Sequence, residues 1–152
     1  MDRERQRMRD QFLGSVVILI IQFLLGMAVN LFVTIPRDHP GANPPEYFTG
    51  VAQSVTWAIL HGHVLLILHA SLGLILVLNS AVLLVGAIRM RARNLITVTA
   101  FGAFGVLAAG FNRGSYLNYH EDFSSMIMAS LFAVAVVAYG VGLYVMGRPA
   151  SA

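Results

Sequence analysis

Five histidines are the residues of this 152-residue chain best suited to chemistry. They are His39, His61, His63, His69 and His120. Neutral imidazole nitrogens bind metal ions and haem iron, and they exchange protons near neutral pH. The hydrophobic pattern of the chain predicts that all five lie towards the same side of one membrane. Because histidine is costly in or near lipid, this clustering favours a liganded centre near that side.

The elements that position these histidines are four long apolar runs. The chain is 57% hydrophobic and 11% charged, whereas about a quarter of the residues of a typical soluble domain are charged. Each run is continuously apolar and near the length, about 20 residues, that a helix needs to cross a bilayer. The sequence therefore predicts an all-α integral membrane four-helix bundle, a single domain over residues 1–152 with spans at about 12–35, 55–88, 95–111 and 123–146.

Arginine distribution predicts the orientation. The chain has no lysine, and eight of its ten arginines lie in the N-terminal segment, the loop after the second span and the C-terminal tail. Only Arg37 and Arg113 lie on the opposite side. By the positive-inside rule both termini are cytoplasmic, in a bacterial or archaeal plasma membrane with the functional face outside. Arginines that flank spans in this way do not indicate a nucleic-acid partner, and the absence of cysteine excludes thiolate-ligated clusters.

Counting residues along the predicted spans gives the depth of each histidine in the membrane. A single helix is expected to run outward from Ile88, so that His69 lies about 28 Å and His61 about 40 Å from the inner end. The same count in the fourth span puts His120 at about 40 Å. One narrow stripe of the second span combines small residues with an imidazole; it consists of Gly62, His69, Gly73, Leu76 and Ser80.

Each histidine also has a structural explanation. His69 is as well explained by a hydrogen bond between helices as by a ligand role. His61 and His63 lie at an interface where hydrated imidazoles cost little. His39 is in the proline-rich loop "PRDHPGANPPEYFTG" and is expected to be solvated. Asp122, after His120 and Glu121, is also suited to cap the fourth span.

The first functional hypothesis is a membrane redox or electron-transfer protein that binds haem b. Histidines on two spans of a four-helix bundle can ligate haem iron axially, here His69 or His63 with His120. Glycines beside the imidazoles leave room for the ring. The further cofactor-binding residues of this hypothesis are Gly62 and Gly73 beside the ring and Arg113, Tyr116 and Asn118 at the propionates. A quinone or another redox partner would exchange electrons with such a centre.

The layout resembles one four-helix half of haem A synthase, and also the four-helix b-type cytochromes of membranes. The local similarities are "QFLLGMAVN" in the first span and "HASLG" in the second. The resemblance implies haem binding by His69 or His63 with His120. The chain differs from that family where a glutamate stands three residues before the second-span histidine, since Leu66 and Leu60 occupy those positions. The oxygenating chemistry of that family is therefore not carried over, and whether the chain is an enzyme stays open.

Two alternatives remain. One is a non-haem copper, iron or zinc site, because imidazoles and carboxylates of similar depth suit these metals; its ligands would come from His61, His63, His120, Glu121 and Asp122. The other is a small non-catalytic subunit or assembly factor of a larger membrane complex, or a homo-oligomer. Small residues in "FGAFGVLAAG" and "AVAVVAYGVG" provide the packing surfaces that this role needs.

Overall fold

In the computed structural model, residues 2–119 and 123–147 are described, with only the backbone for residues 2, 113–119 and 125. These residues form five α-helices and no strand: α1 (Asp2–Phe32), α2 (Tyr47–His61), α3 (Val64–Arg89), α4 (Arg93–Tyr119) and α5 (Phe123–Gly147). Four contain segments long and apolar enough to cross a membrane: Arg3–Phe32, Val64–Arg89, Arg93–Asn112 and Met126–Gly147. The all-α fold with four candidate spans is thus confirmed.

The four long helices form a ring in which neighbours are antiparallel. Helix α1 packs against α3 and α5, and α4 packs against the same two helices. Near one end of the α1–α3 pair, Asn79 Nδ2 donates to Ser15 Oγ at 2.6 Å. Further along, Gln22 of α1 contacts His69 of α3. Within the described residues α3 and α5 make no direct contact, so they occupy diagonal corners of the ring.

The expectation of one helix through residues 55–88 is wrong at its outer end. Helix α2 stops at His61, and Gly62 and His63 adopt extended backbone conformations before α3 begins. A Cβ at Gly62 would lie 2.4 Å from the carbonyl oxygen of Ala58, so a side chain does not fit at this break. The Nδ1 atom of His63 accepts a hydrogen bond of 3.3 Å from the backbone N–H of Leu65 and caps α3. The depth predicted for His61 from a continuous helix therefore does not hold.

Helix α2 begins within the segment that the sequence suggested was a loop. The carboxylate of Glu46 accepts from the backbone N–H of Phe48 at 3.0 Å and of Thr49 at 2.6 Å. Hydrogen bonds from the Thr49 side chain, and from these two N–H groups, lower the pKa of the exposed Glu46 from its usual 4.5. Tyr47 Oη donates to the carbonyl oxygen of Phe111 at 3.0 Å. The Glu46 cap explains why α2 begins at Tyr47. The hydrogen bond from Tyr47 connects this end of α2 to α4.

The buried core consists of two clusters. The larger cluster includes Phe12 and Tyr139 and occupies the arginine-rich half of the ring. The smaller is built around Val29, Ala58 and Leu66, where α2 meets α1 and α3. Many large apolar side chains are instead exposed on the outside of the four long helices. Such extensive apolar exposure is compatible with contact with a lipid bilayer and is unusual in a soluble monomer.

Candidate functional site

A cavity of about 390 Å³ lies inside the ring, between the two core clusters, and all five helices line it. Its volume is within the range of about 300–1,000 Å³ that is typical of small-molecule and cofactor sites. The lining is largely apolar, and its polar side chains are Gln22, Asn30 and His69. An apolar cavity with a few convergent polar groups is the usual form of a ligand site.

His69 is the histidine that the described structure places in this cavity. Its side chain is only 7% exposed, and it lies about 30 Å along α3 from the arginine-rich end of that helix. On α1 it faces Gly26, where a Cβ would lie 3.0 Å from the imidazole Cε1. The stripe predicted from helical periodicity is present within α3, because Gly73 and Leu76 line the same cavity. Gly62 is not on that stripe, since it belongs to the break before α3.

Gln22 of α1 is the polar side chain that contacts the imidazole of His69. Its Nε2 donates to the backbone carbonyl oxygen of His69 at 3.0 Å and lies 3.4 Å from the imidazole Nε2. The carbonyl can only accept, so the amide nitrogen must point towards the imidazole. An amide nitrogen can only donate, so this contact is a hydrogen bond in the tautomer whose Nε2 accepts and whose Nδ1 carries the proton. In that tautomer the Nε2 atom holds the lone pair that a metal ligand needs.

Gly73 makes this contact between α1 and α3 feasible. A Cβ at Gly73 would lie 3.3 Å from Gln22 Nε2, closer than most real Cβ contacts. The Oε1 atom of Gln22 is buried and has no hydrogen-bond partner among the described residues. The amide is therefore only partly satisfied by the described residues.

The other described histidines lie elsewhere. His61, at the end of α2, borders a shallow groove with Pro40 and Trp57 on the outer side of that helix. His63 caps α3 as described above. His39 was expected to be solvated, but it is only 7% exposed because its ring stacks on that of Trp57 with centroids 4.5 Å apart. None of these three lines the cavity that holds His69.

Several predicted site residues lie outside the described part of the structure. His120, Glu121 and Asp122 are in the stretch between α4 and α5. The side chains of Arg113, Tyr116 and Asn118 are likewise not described, although their backbone continues α4 outward from the cavity-lining Gly110. Among the described residues, no three histidine or acidic side chains are grouped to hold a metal ion. The haem and non-haem ligand sets that include His120 stay predictions.

Gln22 and Met128 are among the cavity residues that were absent from the sequence-based site. Gln22 lies in the first predicted span, and its partner 47 positions away on another helix has no local signature. Met128 of α5 lines the same cavity as His69. Methionine is common in apolar helices, so its presence in a span gives no signal by itself. Both residues emerge only from the arrangement of the helices.

The chain was compared with models of known protein families, with curated proteins and with solved structures, and none of them matches it. Its candidate function therefore rests on the cavity and on the residues that line it.

Proposed function

We propose that this protein is an integral membrane redox protein that binds haem b in the cavity of its helix ring, where His69 would hold the iron. The observation that carries the proposal is the buried imidazole of His69 in an apolar cavity of about 390 Å³. An ionisable side chain at membrane depth is by default a hypothesis for a functional site, because an apolar residue would cost less there. Haem ligation gives this imidazole such a function.

The side chains around the cavity suit a flat apolar ring with one liganding atom. The Nδ1–H form of His69 leaves Nε2 free of a proton, as iron ligation requires. Gly26 and Gly73 let α1 and α3 approach closely here, because the imidazole fills the space beside Gly26 and the Gln22 amide fills the space beside Gly73. Bound haem would supply one-electron redox chemistry. The protein would hold the ring in an apolar environment, and Arg113, Tyr116 and Asn118 are proposed to meet the propionates at the outer end of α4.

The decisive experiment is an absorption spectrum of the detergent-purified protein, oxidised and reduced, with haem quantified as its pyridine complex. The expected result is near-stoichiometric haem b. His69→Ala and His69→Gln should each lower haem affinity at least about tenfold, since even hydrogen-bond partners of metal ligands change affinity by about 10–100-fold. The His69→Gln variant retains a polar side chain beside Gln22. It therefore controls for loss of haem through misfolding.

His61→Ala is the matched control, because His61 is exposed and borders the outer groove instead of the cavity. It should keep its full haem content. A colourless wild-type protein from haem-replete cells, or equal haem content in the wild type and both His69 variants, would contradict the proposal.

The orientation is part of the same proposal, with both termini cytoplasmic and α2 on the outer face. Because the chain has no cysteine, single cysteines can report it directly. Gln53→Cys, exposed on α2, should react with a membrane-impermeant maleimide in intact spheroplasts. Asn94→Cys, exposed at the start of α4, should react only after permeabilisation. The reverse pattern would invert the topology and place the cavity nearer the cytoplasm.

A second candidate is a non-catalytic subunit or assembly factor of a larger membrane complex. The Gln22–His69 contact favours it, because a histidine hydrogen-bonded between helices has a structural role without any cofactor. The same spectrum separates the two candidates. A colourless protein that co-purifies with larger subunits would support the subunit role, and metal content without haem would support the non-haem alternative.

A further inference from the structure

The cavity reaches the outer surface of the ring along the seam between α1 and α5. Phe23 and Met27 of α1 line the cavity, yet they are 43% and 44% exposed. A side chain that lines an internal cavity and is also this exposed lies at the boundary between the cavity and the outer surface. Ala129 of α5 likewise lines the cavity and is exposed. Only a single layer of side chains therefore separates the cavity from the outside at this seam.

An aromatic pair fills this part of the seam. The rings of Phe23 and Phe132 stack with centroids 5.2 Å apart, and both residues line the cavity. Phe132 is 15 residues from the end of α5 at Gly147, which puts it about 22 Å from the arginine-rich end of the ring. This depth falls within the hydrocarbon core of a bilayer, which is about 30 Å thick. The Phe23–Phe132 pair thus stands between the cavity and the layer that acyl chains would occupy.

Other contacts around the ring involve the helix backbone and are closed more tightly. In the arginine-rich half of the same seam, a Cβ at Gly142 would lie 2.5 Å from Cε1 of the buried Phe12. Between α4 and α5, a Cβ at Gly105 would lie 2.8 Å from a backbone carbonyl oxygen of α5. Such contacts cannot open by a side-chain movement alone. The Phe23–Phe132 pair can, because aromatic side chains exchange between staggered rotamers.

Helix α2 covers the opposite side of the ring. Leu74 of α3 and Leu107 of α4 also line the cavity and are exposed, but α2 packs against both of these helices. The hydrogen bond from Tyr47 to the carbonyl oxygen of Phe111 fastens α2 on that side. Within the described residues α2 does not pack against α5. The seam between α1 and α5 is thus the less covered of the two.

We propose that the cavity takes its ligand from the acyl-chain region of the membrane, through a lateral portal between α1 and α5 that the Phe23–Phe132 pair closes. The ligand class is a lipid-soluble molecule with a flat apolar ring system, because such molecules partition from water into a bilayer. This inference rests on the proposed function for the identity of the ligand, since haem belongs to this class. The route itself depends only on the arrangement of the helices.

Labelling from the lipid phase tests the portal without any ligand. A phenyl diazirine dissolved in vesicles that contain the protein forms a carbene on illumination and inserts into the side chains that it reaches. In the wild type it should label Leu19 and Leu76, which line the cavity and are buried. It should also label Leu24 and Leu78, which are exposed on the outside of the ring. Labelling of the exposed leucines alone would mean that lipid-phase molecules do not reach the cavity, and would overturn the proposal.

A bridge between the two aromatic positions should close the portal. Because the chain has no cysteine, a variant that combines Phe23→Cys with Phe132→Cys can be linked reversibly by a short bifunctional methanethiosulfonate. In the bridged protein, labelling of Leu19 and Leu76 should fall to background while the exposed leucines keep theirs, and dithiothreitol should restore it. The two single variants, treated with the same reagent, are the matched controls. Unchanged labelling in the bridged protein, or a failure of the reagent to link the two thiols, would overturn the role of the Phe23–Phe132 pair.

Haem uptake separates the portal from the proposed function. Haem added to vesicles of the apoprotein should load more slowly when the bridge is in place, and at the unbridged rate after reduction, with the same final content. Phe132→Ala should speed loading, whereas Val137→Ala, exposed on the same helix outside the cavity, should not. If haem loads equally fast with and without the bridge, the portal fails while haem binding stands. If the wild type binds no haem but the diazirine still reaches Leu19 and Leu76, the portal stands and the proposed function fails.

Discussion

Gly102→Ala is expected to destabilise the helix ring by about 3 kcal/mol, the upper end of the usual cost of overpacking. A Cβ at Gly102 of α4 would lie 2.1 Å from Cε1 of Tyr139, with Cδ1 and Cζ at 2.6 and 2.7 Å. Tyr139 is fully buried. Its ring also packs against Phe12, with centroids 6.0 Å apart, so it has little space in which to retreat. The α4–α5 contact must therefore open to admit the methyl group.

Thermal or denaturant unfolding in detergent would measure this loss, with Gly140→Ala as the matched control. Gly140 is the next residue after Tyr139, yet a Cβ there would meet no heavy atom within 4 Å. Gly140→Ala should therefore change the free energy of unfolding little. Combining Gly102→Ala with Tyr139→Leu should cost less than the sum of the two single changes, because both act on one contact. Strict additivity, or equal effects at Gly102 and Gly140, would contradict the steric explanation.

The spans were predictable from the sequence because continuous apolar runs have few alternative structures in a chain of this composition. The break at Gly62–His63 was not, since apolar residues on both sides make "ILHGHVLL" resemble one uninterrupted span. Only the cap formed by His63, and the lack of room for a Cβ at Gly62, reveal the end of α2. The start of α2 was not predictable, because the preceding prolines indicated a loop more strongly than Glu46 indicated a helix cap.

The site was predictable only where helical periodicity determines which residues share a face. His69 and Gly73 are four residues apart on α3, and both line the cavity as that spacing indicates. Gln22 and Met128 join the same cavity from other helices, and no local pattern specifies which turn of α1 or α5 comes opposite His69. That register is set by close packing at glycines, such as Gly26 against His69 and Gly105 against the backbone of α5.

Gly41→Ala is expected to detach the loop between α1 and α2 from α2, with an effect on local structure larger than on the ring. Gly41 has φ +91°, a conformation that costs an L-residue roughly 1–2 kcal/mol. A Cβ there would lie 2.4 Å from both the carbonyl oxygen of Gly50 and Ser54 Oγ, and 2.7 Å from the backbone nitrogen of Ser54. Backbone atoms cannot move aside by changing rotamer, so the loop itself must lift away.

The consequence can be read from Trp57, the single tryptophan of the chain. The loop that contains Gly41 also holds His39 against the indole, so lifting it should expose Trp57 and change its emission. Asn43→Gly is the control, because Asn43 already has φ +47° and glycine adopts this conformation without strain. It should leave the fluorescence as in the wild type. Unchanged emission in Gly41→Ala would mean that the loop adapts without releasing α2. Val51 and Val55 of α2 line the cavity, so a released α2 should also open the cavity to solvent.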